Sequence, residues 1–244
     1  MPLTLATTTP GEPEIFASLQ GEGPSMGKPC AFVRLSRCNL ACVWCDTPYT
    51  WHFEGDNRPH RGGETYERKA NQLTLDEAEV AARIAALGKP RLIVTGGEPL
   101  LQGPALARML ALLHDTKVEI ETNGSVAPTD ALDALVDQYN VSPKLAHSGN
   151  PADLALVPDR LAHWAQEPRA FFKFVIAEPA NVEEVLKLAE THAIPSSRIY
   201  LMAEGTDTRT LEAREQWLAE LCLSHNLTLS KRLHIQLYGD TRGT

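Results

Sequence analysis

Apolar and polar positions along this chain switch repeatedly between the two-residue period of a strand and the three-to-four-residue period of a helix. "PCAFVRLS" is an apolar run of strand length, opened by Cys30. "TLDEAEVAARIAALG" has helical spacing, with Thr74 the expected N-cap, Glu77 completing a capping box and Gly88 ending the helix. "PRLIVTGG" reads as a strand ending in glycines, "GPALARMLALLHD" as a helix and "KVEIETNG" as a strand closed by a turn. The rhythm continues through a helix "PTDALDALVDQ", a short strand "NVSPKL", a strand "AFFKFVIA" and a helix "NVEEVLKLAETH". It ends with a strand "SRIYLMAE", a helix "TLEAREQWLAELCLSHN" and a last strand "RLHIQLYG". Strands alternating with helices imply βαβ units and a parallel sheet. The expected fold is α/β, with about six core strands over residues 1–244, and an open or incomplete barrel suits it as well as a flat sheet. The polar, turn-rich stretch 48–72 interrupts the pattern and reads as an irregular insertion.

Composition changes this picture little. With 244 residues, 43% hydrophobic and 22% charged, the chain can bury a large core. No run approaches the roughly 18 apolar residues of a membrane span. The start, "MPLTLATTTPGEPEIF", lacks the basic flank and apolar stretch of a signal peptide, so a cytoplasmic protein away from membranes is expected. A net charge of −8 argues against broad nucleic-acid binding and leaves room for a small anion held by a local Lys or Arg.

The chemistry concentrates in the cysteines. Five is an odd number for a disulfide framework, and Cys30 and Cys222 read as core filler. The other three fall in "SRCNLACVWCDT" as Cys38, Cys42 and Cys45, spaced C-x3-C-x2-C just after a predicted strand. Soft thiolates select zinc, copper(I) or iron–sulfur clusters. A closed zinc site wants a fourth ligand, for which His52 is the candidate. Three thiolates on a four-iron cluster would instead leave one iron open to a substrate or cofactor.

This spacing, with "VTGGEP" at the end of the next strand, resembles the radical S-adenosylmethionine (radical SAM) enzymes. Further stretches narrow the resemblance. "IFASLQGEGPSMGKPCAFVRLSRCNLACVWCDT", "GGEPLLQ", "EIETNGS", "VSPKL" and "RLHIQLYG", in that order and over most of the chain, resemble the 7-carboxy-7-deazaguanine synthase family of 7-deazapurine (queuosine) biosynthesis. The resemblance implies an incomplete barrel holding a 4Fe-4S cluster, S-adenosylmethionine and Mg²⁺. It implies that a 5′-deoxyadenosyl radical takes hydrogen from 6-carboxy-5,6,7,8-tetrahydropterin. The ring then contracts to 7-carboxy-7-deazaguanine with loss of ammonia, and S-adenosylmethionine is regenerated. A flavodoxin or ferredoxin as electron donor and a homodimer are the family expectation.

The residues suit those tasks. Cys38, Cys42 and Cys45 would hold the cluster and Thr47 the Mg²⁺. Trp44, Asp46, Gly97, Glu98, Glu121, Ser142, Pro143 and Lys144 would bind S-adenosylmethionine, the glycines Gly96 and Gly97 allowing close backbone approach to its ammonium. Leu19, Gln20, Gly21 and Glu22 would meet the donor–acceptor edge of the pterin, and Arg34 its carboxylate. Thr95 and His234 would also face substrate. Two other readings use the same cysteines: an activating enzyme for a glycyl-radical protein, and a non-catalytic zinc or iron–sulfur protein. The first needs a peptide groove, and the second has no use for GGEP, ETNG and SPK at successive strand ends.

Overall fold

A computed structural model describes residues 2–244. Eleven strands join one sheet: β1 (Leu3–Thr9), β2 (Glu12–Pro13), β3 (Ile15–Leu19), β4 (Pro29–Leu35), β5 (Gln72–Leu75), β6 (Arg91–Gly96), β7 (Lys117–Thr122), β8 (Gln138–Val141), β9 (Ala170–Ile176), β10 (Ile199–Ala203) and β11 (Thr228–Ser230). From β4 through β6, β7, β8, β9 and β10 to β11 every pairing is parallel and each strand neighbours the next. The sheet does not close on itself, so the parallel run is an incomplete barrel of six full strands and a short seventh. Among the described residues no helix is long and apolar enough to cross a membrane.

Alternation along the strands sorts the side chains. Val33 and Leu35 of β4, Leu92 and Val94 of β6, Ile120 of β7, Tyr139 and Val141 of β8 and Phe172 and Phe174 of β9 are buried in the main core. Neighbouring positions of opposite pleat, Arg34, Thr95, Glu121, Asn140 and Lys173, line a cavity on the concave face. Strand register holds this layer together, since Arg34 pairs with Thr95 and Glu121 with Asn140. Helices cover the other face. The longest, Thr208–His225, starts where the Asp207 carboxylate accepts the Thr210 N–H at 2.9 Å, and stops at Asn226 in the left-handed conformation (φ 54°).

The structure corrects the sequence reading in four places. An antiparallel flank, β1, β2, β3 and β5, extends the sheet where no strands were expected. Thr74 is consequently not a helix cap: it pairs with Thr4 across β5 and β1, and Asp76 stands at the N-cap of helix Glu77–Ala86. "RLHIQLYG" is not a strand. The sheet ends at Ser230, and Leu233–Tyr238 form a short helix with only Ile235 buried, while Leu237 and Tyr238 stay exposed. Its alternation misleads because no single face of it packs on the core. Finally, 48–72 is not uniformly an excursion. Tyr49, Thr50, Trp51, His52 and Phe53 are buried, and only from Glu54 does the chain run mostly exposed before Gln72 joins β5.

Candidate active site

All the concave-face side chains converge on a cavity of about 220 Å³ at the C-terminal ends of the parallel strands. The cysteine loop leaves the end of β4 and crosses the end of β6. Two glycines let it do so. A Cβ on Gly96 (φ 144°) would lie 2.1 Å from the Leu35 carbonyl oxygen, and one on Gly97 would lie 2.2 Å from that of Arg37 and 3.0 Å from Cβ of Cys38. Gly97 N–H donates to Leu35 (3.0 Å) and Glu98 N–H to Arg37 (2.8 Å), which pins the GGEP turn beneath the cysteines. The close approach that these glycines permit is thus to the cysteine loop itself.

Cys38, Cys42 and Cys45 share the cavity wall, and each sulfur receives one side-chain N–H. Asn123 Nδ2 reaches Cys38 at 4.0 Å, Asn150 Nδ2 reaches Cys42 at 3.3 Å and Trp51 Nε1 reaches Cys45 at 3.4 Å. Burial pushes the thiols up, Cys38 to about 12, Cys45 to about 11 and Cys42 in the same direction. Such thiols become thiolates only when a bound metal supplies positive charge. Two segments clasp the loop. Val43 N–H donates to Ser148 and the Arg61 N–H donates to the Val43 carbonyl, at 2.9 and 2.7 Å. His52 is not placed as a fourth ligand: it does not line the cavity that the three cysteines share, and its Nδ1 lies 2.7 Å from the Glu64 carbonyl oxygen. Among the described residues no three His, Cys, Asp or Glu side chains surround one ion, as a single zinc requires. The thiolates of a cubane bind separate irons and need no common centre.

Across the cavity lies a chain of alternating charges. Glu121, Lys173, Glu22, Arg232 and Asp46 follow one another, with Lys173–Glu121 at 3.9 Å and Arg232–Glu22 at 3.3 Å. Lys173 also bonds Glu22 directly, and Arg232 bonds Asp46. Burial opposes ionisation of Glu22, yet Lys173, Arg232 and His234 outweigh it and hold its carboxyl well below the usual range. Asp46, whose side chain stays 38% exposed, is lowered as well: Arg232 outweighs its partial desolvation. For Lys173 burial disfavours the ammonium, but Glu121 and Glu22 raise its pKa. Burial lowers the pKa of His234, a shift that Glu22 partly offsets. Gln20 Nε2 donates to Glu121 at 3.2 Å and Thr95 Oγ1 at 2.9 Å, so both expected substrate residues buttress one carboxylate.

Most other predicted residues also line the cavity: Leu19, Gly21, Thr47, Trp44, Ser142 and Lys144. Gly21 packs directly on His234, whose Nδ1 a Cβ there would meet at 2.2 Å. Lys144 Nζ donates to Ser142 O and Oγ (2.9 and 2.8 Å) and stands 5.8 Å from the Trp44 ring. Thr47 Oγ1 is 3.7 Å from Cys45 Sγ. Arg34 faces the cavity with its Nε on Glu14 at 2.8 Å, and Tyr49 donates to the same carboxylate at 3.0 Å. Its two terminal nitrogens are what it can offer a ligand.

Glu98 and Pro143 do not line the cavity. Glu98 is fully buried; it accepts from Leu100 N–H (3.0 Å), Thr122 Oγ1 (2.9 Å) and Asn123 N–H (2.7 Å). Those bonds tie the GGEP turn to the ETNG turn. Sequence reasoning missed Lys173 and Arg232, although a lone cation inside the apolar "AFFKFVI" was a usable signal. It also missed Asn150, Trp51 and Glu14, which carry no local signal. The tail closes one side: Asp240, Thr241, Arg242 and Thr244 line the cavity, with the Arg242 guanidinium 3.6 Å over the Tyr49 ring and bonded to Asn71 at 2.8 Å.

Three cysteines at the end of the first parallel strand of an open barrel, crossed by a glycine turn, are the anatomy of one superfamily. The Radical SAM superfamily profile matches residues 33–216, and the chain is a radical SAM protein. It is 36% identical to the 7-carboxy-7-deazaguanine synthase of Pyrobaculum aerophilum over 94% of this chain and 95% of that one. It is 34% identical to the protein of that name from Hyperthermus butylicus, over 91% and 90% of the two chains. A crystal structure of QueE from Escherichia coli shares the fold, with a TM-score of 0.64 at 24% identity over 95% of both chains. Within the superfamily the chain belongs to the 7-carboxy-7-deazaguanine synthase family.

Proposed function

We propose that the protein converts 6-carboxy-5,6,7,8-tetrahydropterin to 7-carboxy-7-deazaguanine. The observation that carries this reading is one cavity with three cysteine thiols on its wall, Cys42 buried and Cys38 and Cys45 half-buried, together with two charge-held carboxylates, Glu22 and Glu121.

The residues present fit the groups that the superfamily implies. Cys38, Cys42 and Cys45 are the thiols for a 4Fe-4S cluster, with N–H donors already at each sulfur. Cluster and S-adenosylmethionine together supply a 5′-deoxyadenosyl radical. Trp44, Asp46, Gly97, Ser142 and Lys144 lie on the cavity wall and suit an amino-acid and adenosine ligand; Glu98 supports the turn from behind. Glu22, ionised and aimed inward, accepts N–H donors of an aminopyrimidinone edge, and Gln20 and Glu121 extend that edge. Arg34 offers its terminal nitrogens to the substrate carboxylate. Thr95 fixes Glu121, and His234 packs beside Gly21. Thr47, beside Cys45, offers the hydroxyl for Mg²⁺, which keeps several waters and takes oxygen donors from substrate as well. The task of these residues is positioning: one ring hydrogen is held against the reactive carbon while the tail and Trp51 exclude water.

The tail crossing the cavity disfavours a peptide substrate, which needs an open groove. A low-potential flavodoxin or ferredoxin as donor, and a homodimer in a cytoplasmic setting, complete the reading by family resemblance. The test is anaerobic turnover of iron-reconstituted protein with the pterin, S-adenosylmethionine, Mg²⁺ and a strong reductant, read by mass spectrometry. Many turnovers of 7-carboxy-7-deazaguanine without matching 5′-deoxyadenosine are expected. Cleavage of S-adenosylmethionine alone would make the substrate wrong and a peptide the next to try.

A further inference from the structure

Asn150 comes from a loop far along the chain, yet its amide is spent entirely on the cysteine loop and its own turn. Oδ1 accepts the Ala41 N–H at 2.8 Å, while Nδ2 faces Cys42 Sγ at 3.3 Å and Ser148 Oγ at 3.1 Å. The amide orientation is fixed, because only the oxygen can accept a backbone N–H. Gly149 (φ 76°) lets this loop press against Val43, where a Cβ would meet Cγ1 at 2.7 Å. Trp51 is equally unambiguous, since indole is a donor only and its Nε1 points at Cys45 Sγ at 3.4 Å. The ring is 4% exposed, lies 4.9 Å from the His52 ring and has the Arg58 guanidinium 4.8 Å above it. Trp51 therefore addresses its ligand sulfur from a buried position, and Asn150 from a half-buried one that its own hydrogen bonds hold in place.

We propose that the side-chain N–H groups of Asn150 and Trp51 set the reduction potential of the bound cluster. This rests on the cysteines holding a 4Fe-4S cluster. Reduction is a one-electron step, the electron coming from an added low-potential reductant such as titanium(III) citrate. The added charge spreads onto the thiolate sulfurs. An N–H aimed at a sulfur stabilises that charge more in the reduced state than in the oxidised state, and more strongly where water is excluded. Asn150 and Trp51 are positioning residues in this role; they act through Cys42 and Cys45.

The experiment is an anaerobic redox titration of the reconstituted protein, followed by the electron paramagnetic resonance signal of the reduced cluster, for wild type, Trp51→Phe and Asn150→Leu. Trp51→Phe keeps an aromatic ring and removes only the donor. Each variant should hold a cluster of full iron content. At the wild-type midpoint each should show a reduced-to-oxidised ratio lower by about tenfold, a downward shift of about 59 mV for one electron. The double variant should fall further. Midpoints unchanged in loaded variants would overturn the proposal and leave the two groups as packing. If Asn150→Leu fails to load, Trp51→Phe decides alone. Failure of both to load would make them assembly determinants and overturn tuning equally. A wild-type protein that shows the reduced signal but forms no deazaguanine would sink the substrate reading and leave this one standing.

Discussion

Lys173→Met removes the cation that joins Glu22 to Glu121 and leaves an apolar side chain of similar length. Lys173 is 7% exposed and its carboxylate partners are half-buried beside it, so the loss approaches that of breaking a buried pair. That costs about 3–5 kcal/mol in general. The structure points to the lower end, because Glu22 keeps Arg232 and Glu121 keeps Gln20 and Thr95. About 3 kcal/mol in a domain of this size lowers Tm by roughly 6–12 °C. The pH dependence follows from the direction of the shift. In the wild type the Glu22 carboxyl is held below its ordinary value of 4.5, so its contribution is complete above that value and fades as pH falls through the lower folded value. In the variant Glu22 has lost one of its cations and takes up protons more readily, so the destabilisation is largest where Glu22 is ionised and is relieved as pH falls. The gap between the two proteins should therefore be constant at neutral pH and narrow as pH falls through about 4.5 towards the lower folded value. Thermal or urea unfolding across that range is the assay. Adding Glu22→Gln should recover part of the loss, with a coupling of about 2 kcal/mol in the double-mutant cycle. A Lys173→Met protein melting within about 2 °C of wild type at pH 7.5, with no coupling to Glu22, would refute the charge chain as a stabilising unit.

Three further outcomes are expected. Cys42→Ala should lose the cluster absorbance and all turnover, while Cys30→Ala and Cys222→Ala, both buried away from the cavity, should keep both and lose only about 1 kcal/mol of packing. Full activity of Cys42→Ala would end the radical reading. Thr47→Val should keep the cluster but blunt the response of turnover to Mg²⁺, and an unaltered titration with Mg²⁺ would take Thr47 out of the metal site. Gly97→Ala would set its Cβ 2.2 Å from the Arg37 carbonyl oxygen, so the cysteine loop must move; iron content after reconstitution should drop sharply, and a normal content would show that the turn is slack.

The parallel half of the fold was legible because buried parallel strands are long apolar runs and each is followed by a helix of distinct period. "PRLIVTGG" and "AFFKFVIA" illustrate it. The antiparallel flank was not legible. "LTLATTT" alternates weakly, and its burial is decided by β4 and β5, distant segments that no local window contains. The same limit governs the site. Cysteines, glycines and the QGEG and SPK stretches announce themselves because their chemistry is unusual at any position. Glu98 announced itself too, as a carboxylate beside two glycines, but its partners Leu100, Thr122 and Asn123 could not be read from that stretch. Lys173 and Arg232 show the converse. Arg232 is an ordinary basic residue in sequence and Lys173 stands out only by its apolar neighbours, and each becomes part of the site because the barrel brings it against Glu22, 210 and 151 residues away. Reactive groups can be read from residue identity, but their ionisation states belong to the fold. Glu22 accepts hydrogen bonds at neutral pH because two cations from β9 and from beyond β11 hold it ionised despite its burial.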